Sequence, residues 1–292
     1  MSLKNIGLVD LCTRLGENPQ ATAETAKDLG YDVLTLPPYE AEPENSPVKL
    51  AKLGPLTFEL DGEHLAEMSR YKAAGVVGVT QGHAPWKNTR VQLNALRYAR
   101  GQNMPVHLMP LDAELGKGVA HDGEIAQRLG LETQPSAAET IALARDLQLV
   151  AETGVTAHIA RLSSGESVRL IKRAKAEGLP ITCDVAISHL LWDESYIEGY
   201  NYHYRLQPVL RSARDRQALI EALEEGVIDA VCSDHHPIAI ADKRLPFAQS
   251  QPGAETLHLL RNGLQQLVDK GALSEQRAID AVSRAPAEII GL

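Results

Sequence analysis

Strand-like and helix-like stretches alternate along almost the whole chain, and this alternation restricts the fold more than any other feature. Short apolar runs rich in β-branched residues occur at Ile6–Leu11, Asp32–Leu36, Val48–Leu53, Val76–Val79, Pro105–Met109, Val155–Ile159, Pro180–Val185 and Ile228–Cys232. Helical patterns fall at Ala21–Leu29, Glu63–Ala73, Arg90–Arg100, Ala137–Thr153, Glu166–Glu177, Arg214–Glu225, Glu255–Asp269 and Ser274–Arg284. Several of these helices run into a glycine that precedes a strand, as at Gly30, Gly75, Gly154, Gly178 and Gly226. Glycine accepts the left-handed conformation that closes a helix. Eight strands with crossover helices predict an α/β fold of the (β/α)8, TIM-barrel type rather than an open sheet. The second unit is irregular, because proline recurs from Pro37 to Pro47 and rules out a regular helix there. Pro110 to Pro135 is the other long irregular connection, of a kind that barrels carry on their functional face. The pattern predicts a single barrel domain over residues 1–292.

Composition narrows the function classes. The 292 residues are 44% hydrophobic, ample for one large core, and their net charge is −9. That charge argues against nucleic acid or an anionic membrane as the main partner. No apolar span is long enough to cross a bilayer, and no secretory leader is evident. The three cysteines, Cys12, Cys183 and Cys232, are odd in number and each lies in or beside a strand-like run. They read as reduced thiols of a cytoplasmic protein.

Chemistry concentrates at the end of the last strand. Ile228–Cys232 reads as a buried parallel strand. Ser233, Asp234, His235 and His236 follow it, at the end of the strand where parallel α/β folds place their active sites. A carboxylate with two imidazoles there fits a general base beside a metal. It fits equally well a polar strand end that caps the next loop.

This stretch, from Asp229 through Leu257, together with the first strand Gly7-Leu-Val-Asp-Leu-Cys-Thr-Arg-Leu-Gly-Glu17, resembles the dihydroorotases of the amidohydrolase superfamily. The resemblance continues through Ala74–Gly78, Glu139–Leu147, Ser163–Val168, Gly178–Val185, His189–Leu191, Gln207–Arg211 and Arg284–Leu292. It implies hydrolysis of a cyclic amide, or its reverse, by a zinc-bound hydroxide. It also implies metal ligands at two positions of the first strand, at a bridging position, after the fifth and sixth strands, and after the eighth. In this chain those positions hold Cys12 and Arg14, Gln81, Met109, Arg161 and Asp234. Only Asp234, the family's general base, is retained. Arginine stays protonated and cannot ligate a cation. The family's substrate positions fall on Gly16, Pro38, Gln207 and Ile238, and Gly16 stands where an arginine would hold the substrate carboxylate.

The resemblance therefore leads toward the family's non-catalytic, metal-ligand-deficient members. It implies a protein of pyrimidine biosynthesis, without a metal cofactor, that assembles with aspartate carbamoyltransferase as a homo- or hetero-oligomer. Arg14 and Arg161 would replace part of the lost metal charge and share a buried network with Asp234. The competing expectation is an active dihydroorotase, or another cyclic-amide hydrolase, with zinc in a site rebuilt from Cys12, His107 and Asp234. A small-anion site clamped by Arg14 and Arg161 is a third. His107 and Met109, two residues apart, should share the barrel interior. His158 has the opposite parity to Arg161 and is expected to face the helices. The β-sandwich that dihydroorotases usually carry is expected to be largely or wholly absent.

Overall fold

The computed structural model describes residues 3–292. Eight parallel strands follow one another in chain order: β1 (Leu8–Asp10), β2 (Tyr31–Leu36), β3 (Lys49–Pro55), β4 (Val76–Thr80), β5 (Val106–Leu108), β6 (Ala157–Ile159), β7 (Ile181–Ala186) and β8 (Ala230–Cys232). Each pairs in parallel with the next. The sheet curls until its two edges meet at a parallel bridge between Thr13 and His235, where the Arg14 amide donates to the His235 carbonyl at 2.7 Å. The predicted barrel is the observed one. Its narrow interior is lined by Val9, Leu11, Val33, Ala51, Ala186, Ala230 and Cys232, with Ile290 packed against them. The larger apolar layer lies between strands and helices, where Leu34, Val106, Ile159 and Val185 meet Leu96, Leu143, Ile171 and Leu264.

Asp10 pins the seam. Its buried carboxylate takes the Ser233 amide at 2.7 Å and the hydroxyls of Ser233 and Thr13, so one side chain joins the first strand to the last. Burial pushes this carboxyl up to about 6 in spite of those bonds.

Three connections differ from the sequence reading. The predicted helix Glu63–Ala73 is absent apart from a 3-10 turn at Met68–Arg70. Instead the chain folds back through a Thr57–Leu65 bridge. The Asp61 carboxylate accepts the amides of Glu63 at 2.8 Å and His64 at 3.0 Å within that turn. The Pro110–Pro135 connection is more ordered than expected, with a helix at Glu124–Leu129 and a two-stranded parallel sheet of Ala120–His121 with Thr133–Gln134. The last predicted helix, Ser274–Arg284, splits at Ser283 into Glu275–Val282 and Arg284–Ile289. Pro286 has no amide to return to Val282, so the helix cannot run through. Residues 37–48 have no regular structure, as the prolines predict.

Asp10→Ala would leave the Ser233 amide and two hydroxyls without their buried acceptor. It is expected to cost about 2–3 kcal/mol of folding free energy, measured by urea denaturation. A loss within experimental error of zero would show that the seam is held elsewhere.

Candidate functional site

Arg161 and Asp234 lie just beyond β6 and β8, and both adopt the left-handed backbone region, with φ of +57° and +49°. That conformation is costly for residues with a Cβ and persists only where surrounding contacts impose it. For Arg161 the contact is Asp184 on β7, whose Oδ1 accepts the Arg161 amide at 2.5 Å. The turn resets the strand alternation and points the guanidinium across the barrel mouth.

There the guanidinium becomes a hub. Nη1 lies 2.8 Å from Asp234 Oδ1, 3.1 Å from His83 Nε2 and 3.3 Å from Cys12 Sγ, while Nη2 lies 2.9 Å from Met109 Sδ. Burial opposes the charged form of Arg161, but Cys12 and Asp234 beside it leave its pKa raised. It is therefore a permanent cation. Burial, followed by the charges of Arg161 and Arg14, holds the His83 imidazole well below its ordinary pKa. His83 is thus neutral and presents a lone pair to Nη1. Burial also pushes the Cys12 thiol up, and Cys12 Sγ donates to Asp234 Oδ1 at 3.4 Å.

Cys12, Met109, Arg161 and Asp234 are thus brought together; Gln81 is not, and Arg14 lines the hub cavity but pairs with Glu40. Gln81 is buried away from the centre, accepting from the Thr57 hydroxyl at 2.9 Å and donating to the Leu60 carbonyl at 2.8 Å. Arg14 was expected in the network with Asp234. Its guanidinium instead lies 3.7 Å from Glu40 and is about a third exposed, because the loop after β1 turns it outward. His107 shares the interior with Met109, as its parity predicts. Its Nε2 is buried without a partner, and burial, then His158, keeps its pKa low. His158 does not face the helices. It pairs in register with His107, their rings 5.1 Å apart, and bonds Thr182 at 2.9 Å and Asp184 at 3.0 Å. Counting parity back from Arg161 fails because Arg161 itself takes the left-handed turn, beyond the end of the strand.

The four positions that the resemblance assigns to the substrate lie in different surroundings. At Gly16, where φ is +69°, a Cβ would meet Pro237 Cγ at 2.6 Å, so no larger residue fits the present loop. Pro38 lies half-buried in the irregular 37–48 crossing. Gln207 precedes a cis proline and buries its Nε2 without a partner. Ile238 lines a different cavity of about 490 Å³, beside Trp192, Tyr202 and Tyr204. The cavity at the hub, lined by Cys12, Arg14, His83, His107, Met109 and Arg161 among others, is only about 40 Å³. A water molecule takes about 30 Å³ in the liquid, whereas small-molecule sites begin near about 300 Å³. Sequence reasoning missed His83 and Asp184. The available signal for His83 was a histidine two residues beyond Gln81, just past β4. Asp184 lies mid-strand and offered none.

A match to the amidohydrolase family covers residues 52–292. The "Dihydroorotase-like protein" of Pseudomonas aeruginosa is 34% identical over 309 residues, an alignment that covers 98% of this chain and 73% of the relative. The chain belongs to the dihydroorotase family of amidohydrolases. The "Dihydroorotase" of Anaeromyxobacter dehalogenans is 37% identical over 243 residues, which are 82% of this chain and 56% of that relative. This dihydroorotase-family chain therefore spans just over half of some curated relatives. Among solved structures, the L-hydantoinase (dihydropyrimidinase) of Arthrobacter aurescens superposes with a TM-score of 0.82 at 21% identity, covering 98% of this chain and 71% of that one. At that identity the likeness speaks for the barrel fold alone.

Family membership corrects the expectation of a chain without a cofactor, since amidohydrolases of the dihydroorotase kind typically use zinc. Zinc takes thiolate, neutral imidazole and carboxylate donors in a tetrahedral set. Here the Asp234 carboxylate is committed to the Arg161 guanidinium, and the Cys12 sulfur lies against the same cation at 3.3 Å. Among the described residues, no group of three or more His, Cys, Asp and Glu is placed to hold a metal ion. In this arrangement the donors do not fit a zinc ion.

Replacing Arg161 with Met would leave Asp234 charged and largely buried without its partner. The expected loss is about 3 kcal/mol, and adding Asp234→Asn should recover part of it in a double-mutant cycle. Additive losses would show that the two side chains do not stabilise one another.

The buried imidazoles also set a pH dependence. Burial depresses the pKa values of His83, His107, His189 and His235, the last two to about 4. Unfolded histidine titrates near about 6.5, so their contribution is complete above that pH and is lost as pH falls toward 4. Asp10 and Asp146, both raised to about 6 by burial, act oppositely and favour the fold as they protonate below pH 6. The histidines outnumber these acids, so the melting temperature should fall between pH 7 and pH 5. A scan that stays flat or rises over that interval would contradict the burial of these rings.

Proposed function

We propose that this chain is a dihydroorotase-like protein of pyrimidine biosynthesis that does not turn over dihydroorotate and serves as a structural or assembly partner of aspartate carbamoyltransferase. The observation that carries this reading is the ion pair between Arg161 and Asp234 at 2.8 Å. It commits the retained general-base candidate to a permanent cation, and a base so engaged is a poor proton acceptor. The cavity of about 40 Å³ beside it supports the same reading, because a six-membered ring has no room there. The punctuation of the helices and the packing of the barrel persist while the mouth has changed, which favours a role for the surface over a role for the site. In this reading the barrel is a single domain, cytoplasmic, and part of a homo- or hetero-oligomer. No helix among the described residues is long and apolar enough to cross a membrane.

A second reading, an active dihydroorotase or related cyclic-amide hydrolase, draws on the curated relatives named dihydroorotase, such as the one at 37% identity. One assay separates the two: dihydroorotate hydrolysis by the purified protein, with and without added zinc, and with its metal content measured alongside. No turnover above the uncatalysed rate is expected, and turnover would replace the first reading with the second. Partnership is tested by co-expression with aspartate carbamoyltransferase and size-exclusion chromatography. Co-elution is expected, and separate elution would remove the assembly role.

A further inference from the structure

Two buried cations lie close together in the loops after β7 and β8, with no acid to balance them. Lys243 and Arg205 are each 9% exposed. The Lys243 ammonium donates to the carbonyls of Gly253 at 2.6 Å, Arg205 at 3.0 Å and Gln251 at 3.2 Å. Its hydrogen bonds are complete, but its charge is not neutralised. Nη1 of Arg205 donates to the Leu206 carbonyl at 3.0 Å, and its Nε is buried without a partner. No carboxylate among the described residues contributes at either group. Burial alone lowers the Arg205 pKa to about 10, and burial followed by the Arg205 charge lowers that of Lys243 to about 8. Buried charges are ordinarily paired, because an unpaired one keeps most of its desolvation cost.

Lys243 forms part of the wall of the cavity of about 490 Å³, a size that holds small organic ligands. The other walls are chiefly aromatic and aliphatic. Trp192, Tyr202 and Tyr204 come from the segment after β7, and Ile240 and Leu259 from the chain after β8. The aromatic wall is braced internally. The Trp192 and Tyr204 rings meet edge to face with centroids 4.9 Å apart, and Tyr196 supports Tyr204 at 5.0 Å. Arg244 adds an exposed guanidinium to the lining, and the one acidic side chain there, Glu255, is exposed to solvent. This cavity shares no wall residue with the one at the hub. Of the positions that the resemblance assigns to the substrate, only Ile238 touches it, as an aliphatic wall, and the cations lie at other residues.

We propose that this cavity binds a planar aromatic ring carrying an anionic group, with the ring against the Trp192–Tyr204 wall and the anion toward Lys243 and Arg244. Each part of the ligand answers one feature. A flat ring gains from burial against aromatic faces and edges. A carboxylate or phosphate supplies the counter-charge that Lys243 and Arg205 lack, and Arg244 meets it with paired N–H donors. An uncharged ring leaves the cations uncompensated, and a small anion without a ring leaves the apolar wall wet. The inference goes beyond the assembly role proposed above. It concerns a cavity apart from the hub and stands whether or not the barrel hydrolyses a cyclic amide.

Isothermal titration of the whole chain with benzoate and with phenyl phosphate tests it. Saturable one-site binding of at least one of them is expected, with a dissociation constant below about 10 mM. Tighter binding of phenyl phosphate identifies phosphorylated aromatics as the ligand class, and tighter binding of benzoate identifies aromatic carboxylates. Benzamide, similar in shape to benzoate but uncharged, and acetate, which lacks the ring, should each bind at least about tenfold more weakly. Ile240 is 68% exposed and Arg244 is also exposed, so Ile240→Glu and Arg244→Glu should fold as the wild type does. Each should weaken binding by about tenfold or more. Failure of both aromatic anions to saturate the wild-type chain overturns the proposal. So does binding that benzamide reproduces, or that survives both glutamate substitutions.

Discussion

The mouth of this barrel is organised around one buried guanidinium. Parallel strands present their C-terminal ends to a common centre, and in an amidohydrolase barrel that centre is where charge must be balanced. Here the balancing cation is covalently tethered. Arg161 reaches it because its backbone is held in a left-handed turn by Asp184, and the guanidinium then gathers a carboxylate, an imidazole, a thiol and a thioether from four other strand ends. The carboxylate and the guanidinium would each be costly to bury alone, and part of that cost is offset by their pairing. The arrangement is mutually dependent, so the hub also fixes the conformation of the loops after β1, β4, β5 and β8.

The seam below the hub follows the same logic with the opposite charge. Asp10 is a buried acceptor surrounded by donors from both ends of the sheet. A closed barrel has no free edge to satisfy with water, and a seam between short strands offers few ladder bonds. The carboxylate makes up the difference, and its elevated pKa reflects how little solvent reaches it. Hub and seam both touch the Ser233–His235 segment, so the eighth strand end couples closure of the barrel to the chemistry at its mouth.

The fold and part of the site were legible in the sequence for different reasons. Apolar periodicity and glycine punctuation are local signals, and they located all eight strands to within a few residues. Asp234 was legible because it sits just past a strand end that the pattern defines, whereas Cys12, Met109 and Arg161 were singled out by the family resemblance. The failures share one cause, a left-handed backbone that interrupts the pattern. The turn at Arg161 reversed the parity that had sent His158 toward the helices, and left-handed residues at Glu59, Leu60 and Gly62 turn the chain back just before a predicted helix.

By itself, then, the sequence determined the barrel and its strand order, since these depend on residue identity and short-range spacing. Tertiary structure alone decided which of the altered residues meet. It brought His83 to Arg161, sent Arg14 to Glu40, and shrank the cavity to about 40 Å³. Those outcomes depend on long-range approach, on where loops from distant strands lie once the barrel closes. A side chain's partner across such a distance is set by packing and desolvation of the whole mouth, and no local pattern encodes it.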